Sequence, residues 1–258
     1  MRSRAQLAAA IALAATMPGC RTAAPLGTDA DLSGYVPADT VALAAVRLDQ
    51  LRASPLYADL PAAARAMVEP LHEARYLLVA WDGKEFLAIA RGSFREAPPG
   101  ATLAARDVAL AGTDERVRAA VAQHRTGGTG APDLLAQAAG KAAGRQIWMA
   151  ARGSATLPFE GNADNVNRLL HATQYTTVTA QLGDGITVDA TAVCGSAGGA
   201  RRLEETLRAL FSLAAAGSER RPQWAALLSK IEVSRDDRTV RAAFAGGARE
   251  AEELLRVF

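Results

Sequence analysis

Residues 175–194 alternate between apolar and polar side chains, which predicts a β-hairpin. A Gly-Asp-Gly sequence separates the two strands. If all three residues form the loop, with Gly185 in the left-handed conformation, Leu182 pairs with Ile186 and the apolar side chains of both strands share one face. The opposite face is then rich in threonine. A two-residue loop would place apolar residues opposite polar ones, so the pattern favours the three-residue loop.

A second hairpin is predicted over residues 231–244. With Asp236 and Asp237 as its turn, the apolar residues of the two strands again face each other. That register places Glu232 opposite Arg241, where a cross-strand ion pair adds about 0.2–1 kcal/mol of stability.

The segment 75–91 predicts a third hairpin, which turns at Asp82 and Gly83. Both faces of its strands are apolar, so we expect a central pair that is covered on both sides. Further apolar segments predict three single strands, at residues 41–48, 108–111 and 147–151.

Apolar residues at spacings of three and four predict amphipathic helices between the hairpins. The longest such stripe consists of leucines, with Glu204 and Arg208 paired on the opposite side. A second stripe runs from Ala251 to the C-terminus. Thr113 is predicted to cap a shorter helix that has Val117 on its inner side. The leucine stripe consists of Leu203, Leu207, Leu210 and Leu213.

These elements predict an α+β fold, with mostly antiparallel sheets built from hairpins and helices packed on them. The order of elements is similar in two α/β halves, which we place at residues 34–126 and 145–258. Residues 127–144 are predicted to form a linker with a short helix. The halves share their order of elements but not their residues, so a duplication stays one alternative.

Half of the 258 residues are hydrophobic and 22% are charged. This composition excludes a disordered chain, a collagen-like repeat and a multi-pass membrane protein. The 29 basic side chains exceed the 27 acidic ones only through Arg2 and Arg4, in a segment that we expect to be removed. Because acidic and basic residues alternate along the rest of the chain, nucleic-acid binding is disfavoured.

The first 19 residues have the order of a secretory signal peptide: two arginines, an apolar run and small residues. The apolar run, from Leu7 to about Met17, is too short to cross a hydrocarbon core that needs about 20 residues. Gly19 and Cys20 lie just beyond the end of this run. The next residues, up to 33, lack apolar periodicity and are predicted to form a flexible tether.

The sequence Met-Pro-Gly-Cys at 17–20 resembles the cleavage box of bacterial lipoprotein signals. The resemblance implies that Cys20 receives acyl chains such as palmitate and anchors the protein to a membrane. Arg21 stands where the family's inner-membrane retention rule requires Asp, which favours the periplasmic side of the outer membrane. Ordinary secretion with a nearby cleavage site, or an uncleaved anchor, are the alternatives. The rest of the chain resembles uncharacterised bacterial envelope proteins with no assigned activity.

The sequence contains no phosphate-binding loop and no zinc-type spacing of histidines, so we predict no catalytic, cofactor or metal site. Cys194 and His171 lie at the same end of the first hairpin and could form a thiol dyad, but the parity of Cys194 favours the core. Asn162 and Asn165 flank a helix start. They could line the rim of a ligand site, while the simpler interpretation is a helix cap by Asn162.

The leading hypothesis is therefore a membrane-tethered, noncatalytic envelope domain that binds an unknown envelope protein or acts as a scaffold. One alternative is a carrier or chaperone-like module for an apolar ligand, and another is a hydrolase of unrecognised type. A Leu- and Phe-lined pocket of several hundred cubic ångströms would favour the carrier. A cleft of polar groups with perturbed pKa values would favour the enzyme. A flat apolar patch would favour a protein partner.

Overall fold

A computed structural model describes residues 30–157, 163–218 and 222–255. The described residues contain ten strands, each of which runs antiparallel to its neighbours in a single sheet. They are β1 (Ala42–Arg47), β2 (Ala74–Trp81), β3 (Phe86–Gly92), β4 (Thr102–Ala105), β5 (Val108–Ala111), β6 (Ile147–Arg152), β7 (Tyr175–Leu182), β8 (Gly185–Val193), β9 (Glu232–Asp236) and β10 (Thr239–Gly247).

Helices pack on both faces of this sheet and confirm the predicted α+β class. The α-helices are α1 (Ala30–Ser33), α2 (Leu48–Arg52), α3 (Ala62–Val68), α4 (Asp114–Arg125), α5 (Pro132–Ala142), α6 (Ala163–His171), α7 (Ala197–Ala216), α8 (Pro222–Ser229) and α9 (Ala248–Leu255). Short 3-10 helices occur at Pro55–Tyr57 and Glu69–Leu71.

The order of the strands is symmetric about its centre: β4-β5-β3-β2-β1-β6-β7-β8-β10-β9. Counted outward from the central pair, β1, β2, β3, β5 and β4 occupy the same places as β6, β7, β8, β10 and β9. Each half thus contains a strand, a hairpin, and a second hairpin whose later strand pairs with the first hairpin. The sheet therefore contains two halves with the same arrangement of strands. The boundaries of the halves at residues 126 and 145 stay predictions.

The two faces of the sheet carry different helices. On what we call the α5 face, α4 and α5 cover the strands of the first half and β6, around the fully buried Trp148. Its indole N–H donates to the hydroxyl of Tyr76 at 3.2 Å. On the other face, called the α7 face, α2, α6, α7 and α9 pack against the apolar side chains of both halves. The α5 face of β7, β8, β10 and β9 instead bears polar residues.

The register predicted for the first hairpin is confirmed, because Leu182 pairs with Ile186 and the pairing continues to Tyr175 and Val193. The left-handed conformation predicted for Gly185 is wrong, since its φ lies outside that region. A Cβ atom at Gly185 would lie 2.3 Å from the carbonyl oxygen of Gly246 on β10. Glycine is required here by the close approach of a neighbouring strand and not by backbone conformation.

The register predicted for the second hairpin is wrong by two residues. Its turn consists of Asp237 and Arg238, with Asp237 at φ 44°, a left-handed value that aspartate tolerates better than most residues. A shift of two keeps every side chain on its predicted face. The shift separates Arg241 from Glu232, the partner expected from the sequence. The Nε and Nη2 atoms of Arg241 instead donate hydrogen bonds to the carboxylate of Asp189 on β8.

The remaining predicted elements are confirmed with small differences. The third hairpin has a four-residue loop, 82–85, in which the Asp82 carboxylate accepts from two backbone N–H groups. Thr113 precedes α4, as predicted, but its side chain donates to Glu85 and does not cap the helix. The short strand β4 was not predicted, and the predicted linker contains the eleven-residue helix α5.

The side chain of Gln146, the residue before β6, forms hydrogen bonds with two parts of the chain that are distant in sequence. Its side chain is buried, and its carbonyl oxygen accepts from the backbone N–H of Leu182 at 2.7 Å. Its amide nitrogen donates to the carbonyl oxygen of Leu182 at 2.8 Å and to that of Gln50 at 3.3 Å. One carboxamide therefore satisfies both backbone polar groups at the end of β7, as a neighbouring strand would.

Asp133 joins the start of α5 to the sheet. It accepts two hydrogen bonds from the Arg152 guanidinium, at 2.7 and 2.9 Å, and one from the hydroxyl of Tyr175 at 3.1 Å. These contacts, led by the hydrogen bonds from Arg152, lower the pKa of Asp133 from 3.8 to about 2. The folded protein therefore favours the ionised carboxylate.

We expect this carboxylate to make stability depend on pH. Its pKa is lower in the folded state, so its contribution is present above pH 4 and is lost as the pH falls towards about 2. Because a third of the side chain is exposed, we expect Asp133→Asn to cost about 1 kcal/mol at pH 7. Urea unfolding at several pH values measures the difference. Asp59→Asn, at an exposed position, is the control, and a cost of Asp133→Asn that persists at pH 2 would contradict the assignment.

Candidate functional site

An apolar cavity of about 670 Å³ lies on the α7 face of the second half. Its floor is the inner surface of β6, β7, β8 and β10, and its walls are α6 and α7. The alternation predicted for the first hairpin explains the floor, because the residues that face α7 on β7 and β8 are small or aliphatic. Ala190 and Ala242 lie on adjacent strands at paired positions and leave space above them.

The lining is aliphatic and aromatic, and no charged side chain belongs to it within the described residues. Two of its threonines bond within the wall: Thr173 donates to the carbonyl oxygen of Leu170 at 2.7 Å and lies 3.1 Å from the hydroxyl of Thr176. The lining consists of Met149, Leu157, Val166, Leu169, Leu170, Thr173, Thr176, Val178, Ala190, Thr191, Ala192, Leu203, Leu207, Phe211, Val240 and Ala242. Such a surface suits a hydrocarbon ligand.

Asn167 holds the wall formed by α6. It is buried, its amide oxygen accepts from the backbone N–H of Leu157 at 2.8 Å, and its amide nitrogen donates to the carbonyl oxygen of Leu157 at 3.2 Å. Leu157 lines the cavity, so Asn167 positions a wall residue. Asn167 belongs to the asparagine-rich segment at the predicted helix start, whose amides the sequence offers as a ligand rim. Its spacing of three residues from the buried Leu170 is the signal that places it on the inner side of α6.

The wall formed by α7 is buried at one end and exposed at the other. Near the start of α7, Leu203 packs with Cys194 and Val240. Farther along the helix, the guanidinium of Arg208 donates to the carbonyl oxygen of Val233 at 2.8 Å. The expectation that the whole leucine stripe faces the core is wrong. Leu210 is 42% exposed and Leu213 is 72% exposed, although α7 packs against α8.

Of the two residues proposed from sequence as a ligand rim, only Asn165 is among the described residues. Asn162 lies outside the described residues, so its predicted capping of α6 stays a prediction. Asn165 is exposed on α6 and does not line the cavity. Cys194 is fully buried, and burial raises the pKa of its thiol, which disfavours the thiolate that a dyad would need. His171 is exposed at the end of α6.

A second concave surface, of about 580 Å³, lies on the α5 face of β7, β8, β10 and β9. Partial desolvation lowers the pKa of Lys141 there, opposed by the Asp189 carboxylate, while Asp189 raises the pKa of Arg241. Perturbed groups in a cleft are the feature expected of an enzyme. Among the described residues, its lining contains carboxylates but neither histidine nor cysteine, and no cluster of metal ligands occurs.

Comparisons with known proteins support the fold. No family profile and no curated protein match the sequence. Two crystal forms of a protein named TP0453 are similar in structure at 8% sequence identity. Crystal form III covers 87% of this chain and 97% of its own with a TM-score of 0.54. Crystal form I covers 87% and 96% with a TM-score of 0.47. Within the described part of the chain, no helix has the length and apolar character to span a membrane.

Proposed function

We propose that this protein is a lipid-anchored carrier of the bacterial envelope that holds an apolar ligand between α6, α7 and the sheet. The observation that carries the proposal is the 670 Å³ cavity with no charged side chain among its described lining residues. A cavity of this size is within the range of small-molecule sites, about 300–1,000 Å³. The cavity favours the carrier over the scaffold, which was the leading hypothesis from the sequence.

The chemistry of the walls selects the ligand class. Aliphatic side chains offer dispersion contacts and exclude water, but a buried charge without a partner would cost several kcal/mol. The hydroxyls of Thr173 and Thr176 are occupied by each other and by the backbone. We therefore infer an uncharged hydrocarbon segment, such as an acyl or alkyl chain, with any polar group at the opening of the cavity.

The anchor forms the second part of the proposal. Acyl chains on Cys20 would hold the domain at a bilayer, where acyl-bearing molecules are concentrated, since each buried methylene contributes about 0.8 kcal/mol. Residues 30–33 form α1, and Leu32 is buried in the core, so the tether of the proposal is limited to residues 20–29. Such a tether would leave the cavity free to face either the membrane or the periplasm.

Ala190→Phe tests the cavity, because it places an aromatic ring on the floor while the strand pairing stays intact. The full-length protein in its membrane is exposed to a diazirine derivative of hexadecanol, irradiated, digested and mapped by mass spectrometry. We expect crosslinks in α6 and in the first half of α7, reduced about tenfold by Ala190→Phe, which corresponds to about 1.4 kcal/mol.

Ala245→Phe is the matched control, because Ala245 lies on the opposite face of neighbouring β10 and is exposed. It should crosslink like the wild type. Equal labelling of both variants would contradict the carrier.

Partner binding is the second candidate, and the exposure of Leu210 and Leu213 favours it. The same experiment separates the two functions. Crosslinks confined to that surface and insensitive to Ala190→Phe would support an apolar contact surface on α7 in place of an internal ligand.

A further inference from the structure

The polar concave surface on the α5 face arises where the symmetry of the halves breaks. In the first half, α4 follows β5 and packs on the α5 face. In the second half, α9 follows β10 but packs on the α7 face, beside Leu182 and Ile186. Among the described residues, no helix of the second half lies above the α5 face of β7, β8, β10 and β9, which forms a trough beside the end of α5.

Polar side chains cross the floor of this trough in one continuous row. Thr177, Thr191, Arg241 and Ser234 are successive partners on β7, β8, β10 and β9. With strands about 4.8 Å apart, the row is roughly 14 Å long. Thr179 and Asp189 form the start of a second row. Hydroxyl groups that donate and accept, next to a guanidinium that only donates, suit a ligand with several hydroxyls and an anionic group.

The charges of the trough are unequally compensated. The Asp189 carboxylate forms an ion pair with Arg241. Arg235 forms another with Glu204 on α7, in which its Nε lies 3.0 Å from Oε2 of the carboxylate. Lys141 and Arg145 stand on the α5 side of the trough, and in the described part of the chain their side chains form no hydrogen bond or salt bridge. The acid that lines the trough without an ion pair is Asp236, on the outermost strand.

We infer that this trough is a second binding site, for a carbohydrate that bears a phosphate or carboxylate group. Lys141 and Arg145 bind the oxyanion, and the row of hydroxyls from Thr177 to Ser234 binds the sugar hydroxyls. The anion then lies above the positive side of the trough, away from Asp236. The site is on the opposite face of the sheet from the apolar cavity and does not depend on the proposed carrier function.

Equilibrium dialysis of the full-length protein with radiolabelled glucose 6-phosphate tests the inference. We expect saturable binding that Lys141→Ala and Arg145→Ala each weaken about tenfold and that Lys141→Arg retains. Arg249→Ala is the control, because Arg249 is an exposed arginine on α9. Thermal unfolding of each variant confirms that it is folded.

Competition identifies which part of the ligand is recognised. Unlabelled glucose 6-phosphate should displace the label at a concentration at least tenfold lower than inorganic phosphate does. Equal displacement by inorganic phosphate would overturn a carbohydrate site, and so would the absence of saturable binding. An equal loss of binding in Arg249→Ala would overturn the assignment to Lys141 and Arg145.

Discussion

Gln146→Ala is expected to lower the free energy of unfolding by about 3 kcal/mol and the melting temperature by roughly 6–12 °C. The substitution removes the partner of both the N–H and the carbonyl oxygen of Leu182, which Gln146 bonds at 2.7 and 2.8 Å. A buried donor or acceptor left without a partner costs about 1–3 kcal/mol. Chemical denaturation of the purified protein measures the change.

The matched control is Gln137→Ala. Gln137 is a half-buried glutamine on α5 whose side chain forms no hydrogen bond within the described residues. We expect it to change stability by less than about 0.5 kcal/mol. If the two variants unfold at the same denaturant concentration, the side chain of Gln146 does not support the end of β7.

Cys20→Ala is expected to abolish incorporation of radiolabelled palmitate and to release the protein from membranes. The change removes the only thiol at the predicted cleavage box, and with it all the hydrophobic free energy of the acyl chains, about 0.8 kcal/mol per methylene. Labelled cells are fractionated, and the protein is recovered by immunoprecipitation from the membrane and soluble fractions.

Cys194→Ala is the control, because Cys194 is the other cysteine of the chain and is fully buried. It should keep both the label and the membrane association. Unchanged labelling of Cys20→Ala would show that Cys20 does not carry the acyl chains, and the carrier would then lack the proposed anchor.

Alternation together with the Gly-Asp-Gly loop predicted the hairpin β7–β8 down to its residue pairs, because a shift of one residue would place apolar residues opposite polar ones. For β9–β10 the same rule could not distinguish two registers that differ by two residues. In the observed register Arg241 lies opposite Ser234 and binds Asp189 on β8, some fifty positions earlier in the chain, instead of Glu232. Contacts between strands that are distant in sequence are absent from local patterns.

The candidate site was less predictable than the fold. The leucine stripe of α7 indicated an inner side but not how far the sheet extends beneath it, so the exposure of Leu213 could not be foreseen. The cavity depends on the small size of Ala190 and Ala242, which becomes informative only when β8 and β10 are known to be neighbours. The backbone partners of the Gln146 and Asn167 carboxamides could not be predicted, because nothing local to these residues in the sequence reveals them.

Among the strand pairs, the central pair of the sheet joins the two segments that are most distant in sequence. Residues 42–46 of β1 pair with 147–151 of β6, roughly a hundred positions away, while most other pairs join strands of the same half. Separation of β1 from β6 would expose two complementary antiparallel edges. Two molecules opened in this way could close on each other, and the resulting intertwined dimer would keep every strand pairing of the monomer.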